Sequence, residues 1–224
     1  GKCCTRMSPE DMSVEKLSCP VGESHCVLFD EVATLRKQVV TDPLTGLFNV
    51  RHFRKSLEHE LERTRRTGMT TALVMVDLDH FKSVNDTWGH EAGNLVLQTV
   101  AQLLQDQTRK LDICCRYGGE EFAVILPSTE LMLARQVAER CLNALRNTLI
   151  PLESTDLQVT ASIGVAVADN SSQTSDRLIE DADECMYDAK KGGRNQVVSK
   201  RPQPSQSAVS IDERDALRGL FGDD

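Results

Sequence analysis

VMVDLDHFKSVND, residues 74–86, is an apolar run that ends in two acids, Asp77 and Asp79, with Leu78 between them. Extended back to Thr71, the segment TALVMVD (71–77) is short and continuously apolar, which predicts a buried β-strand. Side chains alternate across a strand, so positions 77 and 79 share one face at its tip. Two carboxylates so placed can bind a hard divalent cation through oxygen at the rim of a cleft. Acids at a strand end also serve as solvated turn residues, and this stretch by itself leaves both readings open.

Downstream, RYGGEEF (116–122) adds a second acidic cluster. Two β runs, Ile113–Tyr117 and Phe122–Leu126, flank Gly118-Gly119-Glu120-Glu121, which predicts a hairpin with an exposed glycine turn. Glycine lets a ligand approach the backbone, and the adjacent acids can complete a metal site begun elsewhere. An ordinary Gly-Gly turn with surface acids is the bland alternative. The other segments alternate in type: helix Asn49–Arg66, helix Ala92–Gln107 with apolar Leu95, Val96, Val100, Leu103 and Leu104, helix Leu131–Arg146, strand Val159–Ala168, helix Asp176–Lys190 and strand Gln196–Ser199. Hairpin and helix-crossover connections mixed in this way predict an α/β sandwich with a mixed sheet, not a strictly parallel doubly wound fold.

With 224 residues the chain has room for one catalytic domain and two appendages. The expected division is a Cys-containing helical or stalk segment over 1–40, the globular catalytic domain over 41–200, and a flexible linker with a short amphipathic tail over 201–224. Only 4% of residues are aromatic, so Leu, Val, Ile and Ala must build the core. No run approaches the length of a membrane span, and a cytoplasmic chain without membrane insertion is expected. The net charge of −8 argues against a nucleic-acid groove, so a phosphate ligand would need a metal or a few placed cations.

In a reducing compartment the eight cysteines stay as thiols. Cys3, Cys4, Cys19, His25 and Cys26 match no metal spacing, and zinc binding, redox sensing and idle thiols all stay open. His52, His59, His80 and His90 show no metal spacing that competes with the carboxylates. Leu28, Val32, Leu35 and Val39 form a seam that fits a dimerising stalk or a helix packed on the domain. Ser210 and Glu213 open a tail that reads as a docking helix for a protein partner or a frayed amphipathic end. The first residue is Gly1, not Met, which leaves room for an upstream sensor in a longer chain.

DLDHFKSVNDTWGHEAGN (77–94), RYGGEEF (116–122), ASIGVA (161–166) and ADECMYDAKKGGRN (182–195), in this order and at these intervals, resemble the GGDEF family. The similarity runs from TDPLTGL (41–47) to KKGGRNQVV (190–198). It implies a nucleotidyl cyclase or polymerase palm-like sandwich, with a central mixed, mainly antiparallel sheet flanked by helices. It also implies diguanylate cyclase activity, the condensation of two GTP into cyclic di-GMP by a homodimer, with Mg²⁺ as cofactor and Mn²⁺ as an alternative. By the same resemblance, Asp77, the carbonyl of Leu78 and Glu120 would hold the metal, and Glu120 would accept the proton of the attacking 3′-hydroxyl. Lys82 would stabilise phosphate charge, Lys190 and Arg194 would reach the phosphates, and Asn85 would read guanine. Phe81, Glu121 and Asn94 would complete the substrate site.

The chain departs from the family pattern at Asn94, where Asp is usual. Aspartate accepts from both guanine N–H edges, whereas Asn offers one accepting oxygen. GTP selectivity is therefore the exposed point of the assignment. A milder departure places Val50 before Arg51, where an Arg usually follows the Asn; it is expected to shift a structural ion pair with Asp42 and leave the metal untouched. Arg109-Lys110-Leu111-Asp112 stands where the family carries an inhibitory product site, and Arg140 where that site's second arginine is expected. The rivals are an idle module that acts as a cyclic di-GMP receptor and a cyclase with relaxed purine choice.

Overall fold

The computed structural model describes residues 40–152, 155–169 and 173–200. The expected stalk seam, the amino-terminal cysteines and the carboxy-terminal tail lie outside the described residues. The elements are β1 (Phe48–Asn49), α1 (Val50–Thr67), β2 (Thr71–Leu78), α2 (Phe81–Gln107), β3 (Ile113–Arg116), β4 (Glu121–Leu126), α3 (Leu131–Asn147), β5 (Ile150–Pro151), β6 (Asp156–Leu157), β7 (Ala161–Ala168), α4 (Ser175–Lys191) and β8 (Gln196–Ser199). Six strands form one sheet in the order β1-β3-β4-β2-β7-β8. β2 pairs antiparallel with β4 and β7, β3 pairs antiparallel with β4, and only the outer pairs β1/β3 and β7/β8 run parallel. This is the mixed, mainly antiparallel sandwich that the sequence predicts.

β2 lies at the centre, and its side chains divide by parity. Ala72, Val74, Val76 and Leu78 join the core under α2 and α3, while Leu73 and Met75 join the core with Phe53, Leu57 and Leu61 of α1 and Leu178, Ala182 and Met186 of α4. Helices on both faces explain why the strand reads as an unbroken apolar run. Among the described residues no helix is long and apolar enough to cross a membrane.

The helices begin and end where their caps allow. Asn49 Oδ1 accepts the His52 amide at 3.0 Å, and Gly68 closes α1 in the left-handed region at φ 73. In α2 the apolar face is Ala92, Val96, Leu97, Val100, Ala101 and Leu104, whereas Leu95, expected in the core, is 37% exposed. The helix also starts eleven residues earlier than expected, at Phe81, and breaks at Gly89, whose φ 81, ψ 168 is non-helical. Before that break only Phe81 and Val84 are buried, too few to give a periodic stripe.

Gly164 fixes how closely α4 meets the sheet. A Cβ there would lie 2.0 Å from the Ala182 carbonyl oxygen and 2.3 Å from the Met186 nitrogen. Absence of a side chain lets the helix backbone rest on β7, and this seats the helix whose last turn carries Lys190.

Candidate active site

Positions 77 and 79 lie at the tip of β2, on the side covered by α1 and α4, and the tertiary structure gives them different work. Asp77 is 6% exposed and takes the Lys190 Nζ at 2.8 Å. It also stands directly opposite Glu121 in the β2/β4 register. Like charges opposite one another on adjacent strands cost stability, so the pairing is a feature of charge chemistry and not of folding. Asp79, the second acid of the strand tip, is consumed by hydrogen bonds: Oδ1 accepts from Ser162 Oγ at 2.7 Å, and Oδ2 from Thr160 Oγ1 at 2.7 Å and the Asn195 amide at 3.0 Å. The cation-binding reading therefore keeps Asp77 and loses Asp79.

The hairpin brings Glu120 to the same edge. Its carbonyl accepts the Leu78 amide at 3.3 Å, while the Glu121 carbonyl accepts the amides of Tyr117 at 2.8 Å and Gly118 at 3.1 Å. Burial raises the Glu120 carboxyl above the ordinary carboxylate range, the Asp77 and Glu121 charges add to the rise, and Lys190 opposes it. Glu121 is raised by burial and then by Asp77. Three acids thus crowd one lysine.

Arg116 ties this hairpin to the start of the domain. Its Nη2 donates to the Gly119 carbonyl at 2.8 Å, and its Nη1 lies 3.3 Å from both oxygens of Asp42. Burial alone would raise Asp42, but hydrogen bonds from Thr45 and the Arg116 guanidinium outweigh it and hold the carboxyl below its usual range. The ion pair of Asp42, expected to shift with the departure at Val50 and Arg51, is made by Arg116, and Arg51 is exposed on α1. The partner of Asp42 is thus a residue at the glycine hairpin, 74 positions away.

The other residues that the resemblance implies for the substrate lie on α2 and just after α4. Lys82 is exposed in the first turn of α2, Phe81 is buried beside it, and Arg194 is exposed after α4. Asn85 is drawn against the second half of α2, since a Cβ on Gly93 would lie 2.0 Å from Asn85 Oδ1. That contact puts Asn85 next to the residue preceding Asn94, which is exposed. The break at Gly89 is what folds these positions together.

Among the described residues no group of three His, Cys, Asp or Glu side chains forms a ready cage for an ion. The donor set nevertheless fits magnesium, which is usually held by one or two carboxylates with the rest of its shell from water and substrate phosphates. The mutual elevation of Glu120 and Glu121 beside Asp77 marks a place where a divalent cation would relieve repulsion.

The RxxD turn lies on another surface. Asp112 Oδ2 accepts the Arg109 amide at 2.7 Å, and the Asp112 amide donates to the Arg109 carbonyl at 2.9 Å. Arg140 donates to the Gln107 carbonyl, so the three expected residues do gather on one shoulder. Arg109 and Asp112 also line a cavity of about 480 Å³ with Thr41, Leu47, Phe48 and Lys110. Burial raises the Asp112 carboxyl, against the Arg109 amide and the charges of Arg109 and Arg140.

Sheet order, acidic hairpin and a lysine-bearing last helix together define an α/β domain that concentrates charge at one edge of its sheet. The chain belongs to the GGDEF family: the family described as "Diguanylate cyclase, GGDEF domain" matches residues 39–196. It is 38% identical over 162 residues to diguanylate cyclase DgcP of Pseudomonas aeruginosa, covering 72% of this chain and 24% of that protein. It is 40% identical over 163 residues to response regulator PleD of Caulobacter vibrioides, covering 72% of this chain and 36% of that one. The chain therefore spans between a quarter and about a third of these relatives' length. Among solved structures it resembles the coiled coil and GGDEF domain of DgcB from Caulobacter crescentus in complex with c-di-GMP, with TM-score 0.74 and 30% identity over 78% of this chain and 92% of that one. It also resembles diguanylate cyclase SiaD in complex with its activator SiaC from Pseudomonas aeruginosa, with TM-score 0.72 and 38% identity over 78% of this chain and 66% of that one.

Proposed function

We propose that this chain is a diguanylate cyclase that joins two GTP molecules into cyclic di-GMP and releases two pyrophosphates. The observation that carries the reading is the 2.8 Å bridge from Lys190 to Asp77 beside the Glu120 hairpin. It gathers at one sheet edge the acids and the cation that phosphoryl transfer requires.

Asp77, the Leu78 carbonyl and Glu120 would hold Mg²⁺, or Mn²⁺ in its place, and the bound ion would neutralise triphosphate charge as a Lewis acid. Lys190, Lys82 and Arg194 bring further positive charge to the phosphates. His80 gives α2 no side-chain cap and its carbonyl takes the Ser83 amide at 2.9 Å, so the amides of Phe81 and Lys82 suit an anionic ligand. Glu120, raised by burial and by Asp77, is the candidate base for the 3′-hydroxyl.

A protomer holding one nucleotide cannot close a two-nucleotide ring. Two protomers face to face would set each 3′-hydroxyl against the α-phosphate of the other GTP, and each attack would form one phosphodiester bond and expel one pyrophosphate. Asn85 and Asn94 read the guanine edge, Phe81 and Glu121 line the substrate site, and Arg109, Asp112 and Arg140 bind product as a brake. Asn94 favours one second reading, a cyclase with relaxed purine choice, because an Asn leaves one guanine donor unmatched.

Incubating the purified chain with GTP, ATP and their mixture, followed by mass spectrometry of the products, tests these readings. Cyclic di-GMP alone supports the first, and adenine-containing rings support the second. Binding of cyclic di-GMP without any product favours an idle receptor and refutes both.

A further inference from the structure

Asp79 is an acid beside the reacting centre that the mechanism does not use. It is 6% exposed, and its two oxygens take three donors: the hydroxyls of Thr160 and Ser162 at 2.7 Å each and the amide of Asn195 at 3.0 Å. Its own amide donates to the Thr160 carbonyl at 2.8 Å. The carboxylate therefore joins the tip of β2, the start of β7 and the turn between α4 and β8.

That turn has a strained backbone. Arg194 and Asn195 are consecutive non-glycine residues in the left-handed region, at φ 64 and φ 46. Such residues persist where surrounding contacts over-determine them. Here the Arg194 amide donates to the Ala189 carbonyl at 3.0 Å and the Asn195 amide donates to Asp79. The two peptide groups flanking the Arg194 Cα are thus fixed, one by the end of α4 and one by the Asp79 carboxylate. The Arg194 side chain is exposed and has no acidic partner among the described residues, so the backbone sets the direction in which it leaves the turn.

We infer that Asp79 is a positioning residue: it locks the peptide after Arg194 so that the guanidinium is presented to the nucleotide phosphates, and it does so by geometry, without serving as a metal ligand. The inference rests on the nucleotide reading of the site given above. Geometry and charge make opposite demands on substitution. An Asn at position 79 keeps one oxygen for Thr160 and the Asn195 amide, while its NH₂ donates to Ser162, whose hydroxyl can turn to accept. A Glu keeps the charge but is one methylene longer, so it displaces the turn.

The test is equilibrium binding of 3′-deoxy-GTP, which lacks the attacking hydroxyl, to the full chain with and without Mg²⁺, each variant first checked by thermal melting. Asp79→Asn should bind within about threefold of the parent with unchanged Mg²⁺ half-saturation, whereas Asp79→Glu should lose about tenfold or more, the loss of one charge-assisted hydrogen bond. Arg194→Ala should lose about as much, and adding Asp79→Glu to it should change little, because one contact is then removed twice. Weaker binding and shifted Mg²⁺ half-saturation in Asp79→Asn with tolerance of Asp79→Glu, equal effects of the two, or additivity with Arg194→Ala would each overturn the role. A parent chain that fails to bind the nucleotide removes the functional reading itself, and this role with it.

Discussion

The strand-tip site and the Arg109–Asp112 shoulder are both charge clusters, yet they are built in opposite ways. At the tip, Asp77, Glu120 and Glu121 are set by paired strands and a hairpin around Lys190. At the shoulder, one half-buried carboxylate closes its own turn while Arg109 and Arg140 lie exposed. The first cluster carries surplus negative charge fixed by the sheet and suits a cation. The second carries surplus positive charge on surface side chains and suits an anion. Where backbone scaffolding holds the charges, altering a neighbour disturbs the chemistry; where side chains reach from a surface turn, they can be removed with the fold intact.

The difference can be broken most severely at the tip. Asp77→Asn or Glu120→Gln should lower cyclic di-GMP formation by ~10³-fold or more, since each removes a charged group from a site that works by electrostatic stabilisation. Glu120→Gln should still bind GTP, and a turnover assay beside nucleotide titration checks both statements. An unimpaired Glu120→Gln chain would end the enzymatic reading.

Gly164→Ala probes the scaffold instead of the charges. The added methyl has no room against the α4 backbone, so a loss of about 3 kcal/mol is expected, at the upper end of overpacking costs. Denaturant melts measure it, and Lys190-dependent activity should fall with it. Gly93→Ala should push Asn85 aside and weaken GTP binding by roughly tenfold, since one edge of a polar contact is lost, while ATP binding changes less. Competition between the two nucleotides reads that ratio.

The shoulder should yield without structural damage. Arg109→Ala should relieve the product inhibition proposed above yet move stability by no more than about 0.5 kcal/mol, as for an ordinary surface change. A larger shift on melting would show that the turn is structural. The smallest effect concerns the buried thiols. Burial pushes Cys115 and Cys141 up to about 12. Because the thiolate is the reactive form, peptides bearing these residues should escape alkylation at neutral pH and label only after denaturation, as peptide mapping by mass spectrometry can show.

Much of this was legible in the chain before any coordinates. The buried strand at 71–77, which the structure extends to Leu78, the glycine hairpin and the four helices follow from apolar periodicity and turn residues. The opening turns of α2 escaped because Lys82, Ser83, Asn85, Asp86 and Thr87 are polar and Gly89 interrupts them. Two-residue ladders such as β1 and β5 are too short to leave a pattern.

The sequence alone determined most of the elements, the family and the acids that could serve a metal, because periodicity and motif order are written along the chain. Only the tertiary structure decided that Asp77 faces Lys190 while Asp79 is spent on Thr160, Ser162 and Asn195, and that Asp42 pairs with Arg116 and not Arg51. Two acids on one face of a strand are equivalent in pattern. What separates them is which donors the neighbouring strand, helix and turn bring within reach, and that depends on packing between segments far apart in the chain.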